Sequence, residues 1–443
     1  MVIPRLVLAA AASGSGKTTV SFGLMAALRA RALTVAPFKV GPDYIDPGYH
    51  TLATGRPGRN LDPWLTGEHR IGPLLAHGAT GADVAVVEGV MGLFDGKLGA
   101  VDGRRGFGST AHVARLTESP VVLVLDAAHS SRTLAAVAHG LATHPDAPRV
   151  AGVILNRIGS ARALAEATDA LAQVRLPFLG ALPRSASLVV PSRHLGLVPA
   201  AESAAAAEVV ETAARLVTDH LDLDALLTVA RSAPPWSGPA WDPQAEVTPV
   251  PGRPRIAVAA GRAFTFRYAE TTELLAAAGC EVVPFDPLVD PDLPANTHAL
   301  YLGGGFPEVF AGDLASNVPL RTAVARRVRA GLPTYAECAG LLYLCRTLDG
   351  HPMAGVLPLA ARMSDALTLG YGATTPPGDS LVARAGETYH HHEFHRTVVE
   401  PAEAHPHLSA TIHAGYHHVH WAGHPAWAQR FAETAASFAA SGA

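Results

Sequence analysis

The stretch Leu6-Val7-Leu8-Ala9-Ala10-Ala11-Ala12-Ser13-Gly14-Ser15-Gly16-Lys17-Thr18-Thr19 decides the fold. It opens with an uninterrupted aliphatic run, the pattern of a strand covered on both faces. A glycine-rich turn follows and ends in Gly-Lys-Thr-Thr; the next segment, Thr18–Arg31, reads as a helix. Strand, turn and helix in this order make a P-loop. Its glycines let successive backbone N–H groups turn inward around phosphate oxygens, and the helix start adds the positive end of its dipole. Ser13, Gly14, Ser15, Gly16, Lys17, Thr18 and Thr19 are the expected ATP cradle. Lys17 is expected against the β- and γ-phosphates and the Thr18 hydroxyl on Mg²⁺. An alanine stands where such loops usually open with glycine, but strand before and helix after argue against a chance turn.

Further short aliphatic runs follow at Leu33–Lys39, Asp83–Val87, Val121–Leu125, Val150–Leu155 and Phe178–Leu182, with helical stretches such as Ser131–Leu141 between them. Strand–helix alternation of this kind predicts an α/β fold, a P-loop parallel sheet with helices on both faces. Ala200–Leu227 reads as a closing helical segment. In such a sheet ligands sit at the carboxyl ends of the strands. The second run is followed by Gly41-Pro42-Asp43-Tyr44-Ile45-Asp46-Pro47, and the third by Glu88-Gly89-Val90-Met91-Gly92. Asp43, Asp46 and Glu88 are therefore expected near the phosphate loop. Thr18, Asp43 and Glu88 are the expected Mg²⁺ set, since that ion takes hard oxygen ligands.

Arg231–Pro254 is too rich in proline for regular structure and predicts a linker. The expected domains are residues 1–230, a linker at 231–254, and a second α/β domain at 255–443. Strands in that domain are expected at Arg255–Ala260, Glu281–Phe285, Ala299–Leu302 and Leu332–Ala336, with more strand-like pieces toward His413–Trp421 and a closing helix at Ala426–Ala440. The strand Leu332–Ala336 runs into Glu337-Cys338-Ala339-Gly340-Leu341, a tight strand-to-helix turn that presents a nucleophile above the sheet. A helix start also favours thiolate over thiol. The Ala339 N–H and a donor from Gly303-Gly304-Gly305 are candidates for holding an oxyanion. Cys345 is expected in the core and Cys280 in a turn. Two histidine clusters, 390–395 and 413–420, could supply a base. Three consecutive histidines on a strand point to alternate faces and would not converge on one ion.

The chain has 443 residues, 49% of them hydrophobic and 16% charged, which excludes a disordered protein. Its net charge of −4 gives no electrostatic reason to bind nucleic acid or an acidic membrane. Three cysteines are not a disulfide framework, and no C-x-x-C pair offers a zinc site. No leader-like start is evident, and no apolar run approaches the ~18 residues a spanning helix needs. A cytoplasmic protein is the expectation.

Together these motifs resemble the cobyrinic (or hydrogenobyrinic) acid a,c-diamide synthases of cobalamin biosynthesis. The resemblance is carried by the strings at 13–19, 38–47, 87–96, 193–197, 303–308, 336–340, 392–395 and 416–421, and covers nearly the whole chain. Phe-Lys-Val-Gly-Pro-Asp-Tyr-Ile-Asp-Pro at 38–47 is the most specific of them. The resemblance implies an N-terminal ATP-dependent ligase domain like dethiobiotin synthetase and a C-terminal class I glutamine amidotransferase domain. It implies that ammonia from glutamine amidates the a and c acetates of a corrin by way of an acyl phosphate. It makes Cys338 the nucleophile and His418 its base, and assigns Lys17, Asp43, Asp46 and Glu88 to the ligase site. It places Tyr44 and Ile45 against the macrocycle; Gly304, Gly305 and Ala339, read from the elbow, are the expected glutamine-site residues. Asn156 falls at an adenine-reading position. The wider class carries a glutamate two residues after the histidine, where this chain has His420, so the expectation is a Cys–His dyad. Whether the ring holds cobalt, which acetate reacts first and whether the chain is a homodimer stay open. Cobyric acid synthase and a P-loop switch ATPase with an inert appended domain are the rival readings.

Overall fold

The computed structural model describes residues 2–185, 192–193, 196–402 and 406–442. The chain forms two compact units, Met1–Trp241 and Asp242–Ala443. The change falls inside the proline-rich stretch, which contributes buried Trp241 to the first unit and the short helix Pro243–Glu246 to the second.

The first unit is built on β1 (Arg5–Ala10), β2 (Val35–Val40), β3 (Arg59–Leu61), β4 (Val84–Glu88), β5 (Val121–Asp126), β6 (Val150–Ile158) and β7 (Phe178–Pro183). They form one parallel sheet in the order β3-β2-β4-β1-β5-β6-β7. β1 and β2 are buried along their whole length, as mainly apolar strands covered on both faces are. The sequence reading differs in two places. The three-residue β3 was too short to show as an apolar run, so Glu88 ends the fourth strand, not the third. The closing segment is two helices, Ala206–His220 and Leu223–Arg231. Asp222 separates them, its carboxylate accepting the N–H of Ala225 as the cap of the second. A small hairpin pairs β8 (Ser192–Arg193) with β9 (Gly196–Leu197). His194 and Leu195 of the motif at 193–197 lie outside the described residues.

The second unit has a six-stranded sheet in which β10 (Arg255–Ala259), β11 (Glu281–Phe285), β12 (Ala299–Leu302), β13 (Thr334–Glu337), β18 (His407–Leu408) and β19 (Ile412–Gly415) run in the order β11-β10-β12-β13-β19-β18. All of its pairs are parallel except β18–β19. A second sheet holds β14 (Thr347–Leu348), β15 (His351–Pro352) and a long antiparallel pair, β16 (Ala360–Thr374) with β17 (Tyr389–Glu400). That pair was not legible as a hairpin. Its register slips between Met363 and Thr368, and β16 is largely exposed, so it lacks a clear apolar alternation. The closing helix runs Pro425–Ala440 and buries Trp427, Ala428, Phe431, Ala432 and Ala435.

Candidate functional sites

In the first unit, β1 leads through the glycine-rich turn into the helix Lys17–Ala30. Gly14 and Gly16 both have positive φ, 78° and 85°. A side chain on Gly16 would stand 2.2 Å from the Asn156 amide nitrogen, so this position needs glycine on two counts. Asn156, on β6, donates from Nδ2 to the Ser15 carbonyl (2.9 Å) and accepts the Arg157 N–H at Oδ1 (3.0 Å). Its amide therefore braces the phosphate loop from β6, two strands away from β1 in the sheet, and keeps a second N–H and a second oxygen lone pair for other partners.

The ends of β1, β2 and β4 bring the expected acids together. Thr18 donates to Glu88 at 2.6 Å and to Asp46 at 3.3 Å. Asp43 uses Oδ1 to cap the helix Ile45–Thr54, accepting the N–H of Ile45 (2.7 Å) and Asp46 (3.4 Å). Sequence reasoning missed the centre of the cluster, Lys39, the penultimate residue of β2. Its ammonium lies 2.5 Å from Asp46, 2.9 Å from Glu88 and 4.0 Å from Asp43. Lys39 is 4% exposed and Glu88 wholly buried, with His50 Nε2 2.6 Å from the other Glu88 oxygen. Burial acts against the Lys39 charge, but Asp46, Glu88 and Asp43 outweigh it and hold its pKa above the ordinary lysine value. Burial would raise the Glu88 pKa, but Lys39, His50 and Thr18 carry it below the carboxylate range. Asp46 moves the other way, raised by burial and by the charges of Asp43 and Glu88. Lys17 donates to the carbonyls of Met91 (2.5 Å) and Ala12 (3.4 Å); burial, then the neighbouring Lys39, lower its pKa. The signal for Lys39 was a lone lysine inside a buried apolar run. The Thr18 hydroxyl with the oxygens of Asp46, Glu88 and Asp43 is a hard-donor set that fits Mg²⁺. Tyr44 and Ile45 are both buried at the start of the helix that follows β2.

In the second unit, Cys338 sits between β13 and the helix Ala339–Leu344, with φ 49° and ψ −101°. A non-glycine residue at positive φ is strained, and such strain is retained where the fold over-determines the turn. Here the Cys338 N–H is held by the Gly415 carbonyl (2.8 Å) and the Gly340 N–H by the Gly303 carbonyl (3.1 Å). The helix has only six residues, so its dipole is a small part of the site's electrostatics. The imidazole of His418 does more. Its Nδ1 is 3.3 Å from Glu337 Oε1, and it interacts with Cys338. Burial lowers the His418 pKa, but the hydrogen bond and charge of Cys338, then those of Glu337, outweigh it and raise the value to about 10. The other thiols lack such neighbours. Burial alone pushes Cys280 and Cys345 up to about 12. Cys280 lies, as expected, between a turn and β11, and it is buried.

Of the three glycines after β12, Gly304 does not offer its N–H outward; it donates to the Phe266 carbonyl at 3.2 Å. What Gly304 supplies is room, since a Cβ there would lie 2.6 Å from His418 Cε1. Gly305 has φ 156°, and a Cβ would meet the Ala263 carbonyl oxygen at 2.2 Å. The Ala339 N–H belongs to the first helical turn, where N–H groups have no partner within the helix.

The histidine clusters also meet. His391 and Glu393, two apart on β17, share a face, and His417 approaches them, so one ligand atom of each lies within 4.8 Å of the others. The rings of His391 and His417 are stacked, with centroids 3.6 Å apart and planes 14° apart. Parallel rings aim their lone pairs side by side, not at one point. Thr374 contacts His391 Nε2 at 3.0 Å and the Tyr389 hydroxyl contacts His417 Nδ1 at 2.9 Å, so the arrangement packs strand against loop.

No described helix is long and apolar enough to cross a membrane. Residues 6–198 match the CobQ/CobB/MinD/ParA nucleotide binding domain, and residues 255–429 match the CobB/CobQ-like glutamine amidotransferase domain. A hydrogenobyrinate a,c-diamide synthase from Thermobifida fusca is 53% identical over 97% of this chain and 96% of its own length. A protein of the same name from Streptomyces coelicolor is 51% identical over 97% of both chains. A cobyrinate a,c-diamide synthase from Synechococcus sp. is 39% identical over 96% of this chain and 97% of its own. A phosphate loop ringed by buried acids, a strained cysteine beside a histidine and full-length similarity all agree: the chain belongs to the a,c-diamide synthase family, in which a nucleotide-binding domain is joined to a glutamine amidotransferase domain.

Proposed function

We propose that this chain is an ATP- and glutamine-dependent ligase that converts the a and c acetate carboxylates of hydrogenobyrinate, the metal-free ring, to amides. The observation that carries the reading is the strained Cys338 beside His418, in a chain that also holds a P-loop. The choice of ring is supported by identity: the relatives at 48–53% bear the hydrogenobyrinate name and those at 36–40% the cobyrinate name.

A carboxylate does not accept ammonia directly, because oxide would have to leave. Transfer of the γ-phosphoryl group of ATP makes an acyl phosphate, and attack by ammonia then expels phosphate. The backbone N–H groups of residues 13–18, with Lys17, bind and orient the phosphates. Lys39 holds Glu88 ionised and keeps both Asp46 and Glu88 in place. Thr18 with Asp46, Glu88 and Asp43 would hold Mg²⁺, which would supply charge neutralisation at the phosphoryl group. In the second unit the Cys338 thiolate attacks the side-chain amide carbon of glutamine. A C–S bond forms, the C–N bond breaks, and His418 gives its proton to the departing ammonia. Water then cleaves the thioester, releasing glutamate and the thiolate, with a proton returning to His418.

Incubation with ATP, Mg²⁺, glutamine and either ring, followed by mass analysis, tests the reading. Two successive carboxyl-to-amide exchanges on the metal-free ring are expected. Faster turnover of the cobalt ring would reverse the choice of substrate, and no exchange on either would end the proposal. A narrower prediction concerns Gly304. Gly304→Ala places a methyl group against the His418 ring and is expected to lower glutamine hydrolysis by about 10- to 100-fold, the cost of a misplaced catalytic group. Amidation driven by an ammonium salt should be unchanged in the same protein.

A further inference from the structure

The carboxylate of Glu337 lies beside the Cys338–His418 pair and has been given no role in the reaction so far. It ends β13, is 2% exposed, and divides its oxygens between two partners: Oε1 faces His418 Nδ1 at 3.3 Å, and Oε2 accepts the Tyr335 hydroxyl at 3.0 Å. Tyr335 and Glu337 are two apart on the strand and so share a face. The position two residues after His418, where the wider class carries its acid, holds His420. That side chain is committed elsewhere: it stacks on Tyr268 (centroids 4.2 Å apart) and lies 3.6 Å from a different carboxylate, Glu270.

We propose that Glu337, the residue immediately before the nucleophile, is the positioning residue for His418. It accepts the Nδ1–H, which leaves Nε2 to exchange a proton with the sulfur and then with the departing ammonia. It also stabilises the imidazolium formed when the proton is held on the ring. The acid of the triad thus comes from the strand before the cysteine, not from the segment after the histidine. This rests on the Cys338–His418 reading given above. Besides Glu337 and Cys338, the titratable groups near the ring are His391 and His392 of β17. Burial lowers the pKa of both, that of His392 to about 3, so both are neutral near pH 7. Glu337 is therefore, with the sulfur of Cys338, one of two groups whose charge favours the imidazolium, and the one that keeps its charge once the sulfur is acylated.

Glu337→Gln is nearly isosteric, but its amide can offer an N–H to Nδ1 and hold the opposite tautomer. In the full-length protein, kcat for glutamine hydrolysis is expected to fall by about 10⁴-fold, of the order seen when a triad acid becomes an amide. KM should stay within about threefold, since the change is to a group that acts in the transition state. Ammonium-driven amidation should be unchanged, and Glu337→Asp should recover part of kcat. The His418 imidazole resonances should titrate at lower pH in Glu337→Gln, because one of the charges that favour imidazolium is gone. A kcat within threefold of wild type, or an unmoved His418 titration, overturns the proposal. Should Glu337→Gln fail to fold, Tyr335→Phe decides. It keeps the carboxylate, removes its second hydrogen bond, and should lower kcat by about fivefold, one hydrogen bond's worth; an unchanged kcat overturns the proposal. Cys338→Ala separates the two readings. Glutamine hydrolysis surviving in that variant sinks the Cys–His reading itself, whereas an inactive Cys338→Ala beside a fully active Glu337→Gln sinks only the role of Glu337.

Discussion

Cys338→Ala is expected to abolish glutamine-driven amidation, by about 10⁴-fold or more as for loss of a catalytic nucleophile, while amidation from added ammonium salt persists. Lys17→Ala should lose both activities. The contrast follows from where the groups lie. The sulfur, its imidazole and the glycine that makes room for the ring are all in the unit Asp242–Ala443, whereas the phosphate loop and the acids are in Met1–Trp241. Removing the thiol takes away only the source of nitrogen. In the proposed mechanism, removing the Lys17 ammonium takes away the charge that orients the phosphates, and no nitrogen donor compensates for an unactivated carboxylate. Product mass, with glutamine and with ammonium as parallel donors, reads both variants. Glutamine-dependent amidation surviving in Cys338→Ala would show that the elbow does something else.

Lys39→Met is expected to have the second largest effect, on stability as well as activity. The substitution leaves Asp46 and Glu88 buried without their shared cation. Breaking a buried ion pair from one side costs about 3–5 kcal/mol. The loss should appear in the urea transition that ATP with Mg²⁺ shifts, since that transition reports the nucleotide-binding unit. Amidation should fall by about 10²- to 10³-fold with either nitrogen donor, the usual loss for one preorganised electrostatic group. A variant with an unchanged transition would mean that the acids are neutralised in some other way. Lys39→Arg tests geometry separately: it keeps the charge, but a planar fork replaces a compact ammonium among three carboxylates.

Much of this was legible because the decisive signals are local. A P-loop is a strand, a turn and a helix start within one short stretch, and the nucleophile elbow is the same grammar at residues 332–341. The acids Asp43, Asp46 and Glu88 were found by a topological rule that needs only strand ends. What escaped was whatever depends on side chains meeting from distant segments. Lys39 reads as an oddity in an apolar strand until Asp46 and Glu88 close on it. Glu337 was in plain view beside the cysteine, but its partner is 81 residues away and nothing local announces it. The bond from Asn156 to the Ser15 carbonyl also escaped, because bracing a loop from two strands away has no sequence signature. The β16–β17 pair was missed for a simpler reason: an exposed ribbon with a register slip has no apolar rhythm to read.

The point at which the two compact units divide has a consequence for heredity. A break in the coding sequence after codon 241 would sever no set of reacting groups, since each half of the chemistry is written in one continuous block. Such a gene can undergo fission into two, or arise by fusion of two, without inventing either site anew, and the proline-rich seam is where the join would show.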